Sequence, residues 1–133
     1  MEQKTRWQQR LEDFEKASAR LDEGLDREAF EELEKDGVVQ RFEFTFELAW
    51  KTLKDYLEDH GVVDVNNPKN VLRKAFQENL FIDDALWLRM LDDRNSLSHV
   101  YKQEMSAIIF ENIKNDYAQA LRDLVLTLKK EIE

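Results

Sequence analysis

The chain has 133 residues, 29 Asp and Glu against 20 Lys and Arg, and a formal net charge of −9, a balance that repels phosphate backbones at long range. It therefore argues against a general nucleic-acid-coating role, while a local basic pocket or a basic protein partner stays compatible with it. With no cysteine there is no disulfide framework and no Cys-ligated zinc or iron–sulfur centre.

The N-terminus, Met1-Glu2-Gln3-Lys4-Thr5-Arg6, is too polar for a signal peptide, and no apolar run approaches the roughly 20 residues of a membrane span. A cytoplasmic protein is expected. At 42% hydrophobic the chain can bury a real core, most simply as one domain over residues 1–133. Three glycines and one proline are too few for strands joined by tight turns, so the composition predicts an all-α protein.

Trp7, Leu11, Phe14, Ser18, Leu21 and Leu25 alternate in steps of four and three and define the first helix. Gly24 stops or kinks it. Asp26 is placed to cap a short second helix carrying Phe30 and Leu33 and ending at Gly37. Pattern alone leaves open whether this region is one bent helix or two.

From Val38 to His60 one broad stripe collects Phe42, Phe46, Ala49, Trp50, Leu53 and Leu57. Phe44 and Leu48 lie off it, on a second apolar side, and are expected to join the core or else a dimer surface. A helix apolar on two sides is central in a bundle. Gly61 suits the left-handed position after its end, with His60 as a C-terminal capping residue.

After a loop over residues 62–67, Asn67 and Pro68 read as N-cap and first helical residue. Val71, Leu72, Ala75, Phe76 and Leu80 form the inner face of that helix. Asp83 starts another, whose inward stripe is Leu86, Trp87, Met90, Leu91 and then Arg94. The last helix, from about Glu104 to Lys130, carries Phe110, Ile113, Tyr117, Leu121, Leu124 and Leu128. Together these elements predict an antiparallel up-and-down bundle of four main helices plus a short extra helix.

Many enzyme signatures are absent: no glycine-rich phosphate loop, no G-x-S-x-G elbow and no H-E-x-x-H pair. Adjacent acids such as Glu31-Glu32 and Asp92-Asp93 read as solvated helix faces rather than metal ligands, and no cofactor is expected. That leaves Asp92-Asp93-Arg94-Asn95-Ser96-Leu97-Ser98-His99-Val100-Tyr101. Arg94 prolongs an inward-facing stripe. It either snorkels, pairs with a buried acid, caps a helix end, or binds an anion in a partly dry cleft. His99 follows five residues later, about 140° round an unbroken helix. The two converge only if the helix ends around Ser96–Ser98, or if two chains each contribute one set. Imidazole and guanidinium together suit metal-free RNA cleavage, with histidine as general base and arginine stabilising the charge on the phosphate.

Arg94-Asn95-x-x-x-His99-x-Tyr101 resembles the R-x4-H-x-Y motif of the HEPN superfamily. The stretch from Gly37 to Leu57, with Val71 to Phe76 and Leu86 to Leu91, resembles its nucleotidyltransferase substrate-binding branch. The resemblance implies a dimerising helical bundle and a minimal nucleotidyltransferase (MNT) partner. It also implies the HEPN toxin of a type VII-like MNT–HEPN toxin–antitoxin pair, an endoribonuclease acting on RNA. Arg94 and His99 would be its catalytic pair at the dimer cleft and Asn95 a supporting residue. Tyr101 would be the hydroxyl that the partner modifies with AMP, placing bulk and negative charge beside the cleft. The older family label implies instead a non-catalytic subunit that presents a substrate to the transferase.

Overall fold

The computed structural model describes residues 3–99 and 103–132, without the side chains of Ser98, His99 and Gln103. Helix α1 (Arg6–Leu25) begins at Thr5, whose hydroxyl accepts from the Gln8 backbone N–H while the Gln8 side chain accepts from the Thr5 N–H. That reciprocal capping box satisfies two amides that the helix itself leaves unpaired. Trp7, Leu11, Phe14 and Leu21 are buried along its inner face, as the four–three spacing requires.

The expected short helix ending at Gly37 does not form. Asp26 closes α1 at its C-terminal end, and α2 (Glu32–Asp59) starts at Glu31 and runs straight through Gly37. The reason lies in the residues after the glycine. Val38, Val39 and Phe42 are buried in one continuous helical register, so stopping at Gly37 would break a face already committed to the core. Leu33, placed in the predicted short helix, is 82% exposed.

Helix α2 is central, as its breadth of apolar surface predicts. It contacts α1, α3 (Pro68–Gln77), α5 (Gln103–Asn112) and α6 (Ala118–Lys130). His60 caps it: its Nδ1 donates to the Tyr56 carbonyl at 2.7 Å, and its ring stacks on Tyr56 with centroids 4.0 Å apart. Gly61 then takes φ +80°, the left-handed turn-off that a side chain would resist. Asn67 accepts from the Asn70 N–H at 2.9 Å to open α3, with Pro68 in its first turn. Asp83 does the same for Leu86 at 3.0 Å before α4 (Asp84–His99).

The final helical stretch is α5, a π-helical turn over Ile113–Tyr117, and α6. Sequence periodicity did not predict the π turn. It inserts where the buried stripe passes from Ile113 to Tyr117, and both residues are fully buried. The core is continuous through the helices, with Phe42 stacked on Tyr117 (centroids 5.4 Å) and Phe81 on Trp87 (4.9 Å). The chain is all-α among the described residues, and none of those helices is long and apolar enough to cross a membrane.

Two expected core residues depart from the prediction. Phe76 is 39% exposed at the bundle edge, and Phe44 is 63% exposed. Helix α2 already buries Phe42, Phe46, Ala49 and Leu53, and this stripe leaves its opposite side facing out. Leu48 is half-buried against the margin of the core.

Candidate functional site

Helix α4 carries the motif residues, and its end differs from the expectation. It does not stop at Ser96–Ser98 but continues to His99. The Ser96 hydroxyl turns back to donate to the Asp92 carbonyl at 3.0 Å, a bond within the helix rather than a cap. Positions 94 and 99 therefore stand about 140° apart around one helix axis. A single α4 does not bring them to a common face. The His99 side chain lies outside the described residues, as do Tyr101 and Lys102.

Arg94 is settled by its neighbours. Its Nη2 forms an ion pair with Glu47 on α2, and its Nη1 reaches Asn95 Oδ1 at 3.4 Å. Of the readings open for this arginine, pairing with a half-buried acid is the one observed. Glu47 is held in turn: it accepts from Trp50 Nε1 at 3.0 Å and meets Lys51 Nζ at 3.2 Å. Burial pushes the Glu47 carboxyl upward, but bonds from Trp50 and Lys51 and the charges of Arg94 and Lys51 outweigh it and leave the group below its ordinary range. Glu47 is thus ionised at neutral pH and holds one end of the guanidinium through Nη2. One turn earlier, burial raises the Glu43 carboxyl despite the pull of Arg94.

Asp93, one residue before Arg94, was expected on a solvated face and is not there. Its Oδ2 accepts from the Tyr117 hydroxyl at 2.5 Å and from Asn112 Nδ2 at 3.1 Å. Arg89 adds a bond from Nε to the Tyr117 oxygen at 3.2 Å and an ion pair with Asp116 at 2.9 Å. Burial raises the Tyr117 hydroxyl well above its ordinary value, with Asp93 adding to the effect, so it stays a donor. This cluster ties α4 to the π turn. Sequence reading missed it because Tyr117 fits the buried heptad-like stripe and shows no polar role until a partner appears. Glu47 was missed as well. Its only signal is an acid embedded in the apolar run Phe46-Glu47-Leu48-Ala49-Trp50.

Comparison with known proteins adds independent findings. Residues 9–130 match the family described as nucleotidyltransferase substrate binding protein like. The chain is 32% identical over 81 residues to a Haemophilus influenzae protein named probable ribonuclease HepT, covering 58% of this chain and 56% of that relative's length. A solved structure from Thermus thermophilus superposes with a TM-score of 0.76 at 37% identity, over 84% of this chain and 95% of that one. A second, from Haemophilus influenzae, also gives 0.76, at 25% identity over 90% and 98%. It is described as revealing the fold of a substrate binding domain of a nucleotidyltransferase.

Proposed function

This chain belongs to the nucleotidyltransferase substrate binding protein-like family, the HEPN-type branch its motifs resemble, and we propose that it is the RNA-cleaving member of a toxin–antitoxin pair. In this reading one HEPN-like bundle pairs with a second copy, and the ends of the two α4 helices meet. Arg94 of one chain and His99 of the other then line a shared cleft, an arrangement in keeping with the separation of about 140° within one helix. His99 removes the proton from a 2′-hydroxyl, whose oxygen attacks the adjacent phosphorus. Arg94 stabilises the charge that builds on the phosphoryl oxygens, and the 5′-oxygen leaves. No metal is required by these roles.

The observation that carries the reading is the R-x4-H-x-Y motif on α4, with Arg94 held at the solvent margin by Glu47, an acid itself fixed from two further sides. The named ribonuclease among the relatives supports the same direction, although the match spans little more than half of that protein. Asn95, in contact with Arg94, serves as a supporting residue.

The partner is a minimal nucleotidyltransferase acting as antitoxin. It transfers AMP from ATP to the Tyr101 hydroxyl, releasing pyrophosphate, and the added phosphate blocks the cleft two residues from His99. Purified protein should cut RNA in EDTA, and folded His99→Ala protein should not. Unchanged cleavage by folded His99→Ala sinks the proposal. Mass spectrometry of Tyr101 after co-expression with the transferase should find added AMP, and a bare tyrosine removes this mode of control. The second reading, a non-catalytic subunit presenting a substrate to the transferase, draws on the relative described as such a domain. It predicts nucleotide binding in the presence of the partner with no RNA cleavage.

A further inference from the structure

A groove of about 740 Å³ lies between α1 and α2, on the side of α2 that faces away from the core. Three cations line it: Lys16 and Arg20 from α1 and Arg41 from α2. None of the three forms a salt bridge among the described residues, whereas Arg10, Arg27, Arg89, Arg94 and Arg122 all do. In a chain with nine more acids than bases, three cations that form no salt bridge among the described residues and converge on one groove call for an anion from outside. Asp13 is the one acid in the lining.

The groove is also built, not incidental. Arg41 is laid across α1, with Nη1 donating to the Arg20 carbonyl at 2.6 Å. Gly24 makes room for it, since a Cβ there would stand 3.1 Å from that same Nη1. This gives the glycine near the end of α1 a packing reason rather than a helix-stopping one. Beside the cations, Phe44 is 63% exposed and Leu48 half-buried, an apolar ledge next to the charges. Phe44 is three residues before Glu47, so the ledge adjoins the Arg94–Glu47 pair on the surface of α2.

We infer that this groove is a docking track for a single strand of RNA, with phosphodiesters on Lys16, Arg20 and Arg41 and a base stacked on Phe44. Cations along a groove with an aromatic face beside them is the arrangement by which single strands are held without sequence preference. A second copy of the chain is the poorer occupant. A two-fold contact centred here would set the three cations against their own counterparts. The inference rests on the RNA-cleaving reading for its substrate and extends it along α2 to a groove lined by none of the motif residues.

The test is fluorescence anisotropy of the wild-type chain with a labelled 2′-O-methyl oligonucleotide, which lacks the attacking hydroxyl and stays uncut. Lys16→Glu/Arg20→Glu alters two exposed residues with no ion pair in the fold. It should weaken binding at least about tenfold at low salt and flatten the slope of log affinity against log salt by about 1.4. Phe44→Ala should lose about tenfold with the slope unchanged. Unchanged affinity and slope in the charge-reversed protein, with its circular dichroism intact, overturns the inference. So does a shift in oligomeric state by sedimentation without loss of binding, which assigns the groove to a second copy. Cleavage abolished by His99→Ala beside unaffected groove variants leaves the nuclease reading standing and this one fallen. Binding lost on charge reversal, in a wild-type chain that cuts no RNA, gives the converse.

Discussion

Two neighbouring residues on α4 have opposite fates. Asp93 turns toward the π turn and is locked to Tyr117 and Asn112, while Arg94 turns toward α2 and is held by Glu47 at the margin of the solvent. The first pair is bound to a fully buried tyrosine; the second leaves both partners about a quarter exposed. Adjacent helix positions lie about 100° apart, so one turn of α4 serves two neighbours at once. The difference separates what holds the helix from what the helix holds out. Asp93 and Tyr117 fix the rotation of α4, and that rotation presents Arg94.

This division can be broken experimentally. The largest expected effect is on activity: Arg94→Ala or His99→Ala should lower RNA cleavage by about two to three orders of magnitude. Thermal unfolding of Arg94→Ala should meanwhile change by no more than about 1 kcal/mol, because a partly exposed ion pair contributes little. Equal losses of stability and cleavage would show that the arginine is structural. Tyr117→Phe should behave in the opposite way. Removing the donor to the Asp93 carboxylate should cost about 1–3 kcal/mol in urea unfolding while cleavage per folded molecule changes little. A large fall in cleavage with stability unchanged would merge the two clusters into one site.

The smallest effect is on pH dependence. The Glu47 carboxyl lies below its ordinary range when folded, so its stabilisation is complete above the unfolded value of about 4.3 and is lost as pH falls through the folded one. Glu47→Gln should therefore flatten the acid limb of a stability–pH profile, measured by urea midpoints, and leave the neutral region nearly level. Persistence of the wild-type acid limb would place that titration elsewhere. Glu43, raised by burial, contributes with the opposite sign: it loses stability as pH rises through its usual range, so the two changes are separable.

Much of the architecture was readable from residue spacing. The faces of α1 and of the last helix, the Asn67–Pro68 and Asp83 starts and the Gly61 turn depend on contacts within a few residues. The errors fall where a distant neighbour decides. Gly37 lies inside a helix because Val38 and Phe42 are already committed to the core. Phe44 is outside because α2 has no free inner face left for it.

The amino-acid order by itself determined the helical class, the Asn67, Asp83 and Gly61 helix boundaries and the R-x4-H-x-Y motif, since periodicity, capping chemistry and residue identity are local properties. Tertiary structure alone decided that Arg94 meets Glu47, that Asp93 meets Tyr117, and that Lys16, Arg20 and Arg41 share a groove. Those pairings join positions up to 47 residues apart, and only the packing of helices side by side brings such positions within a few ångströms.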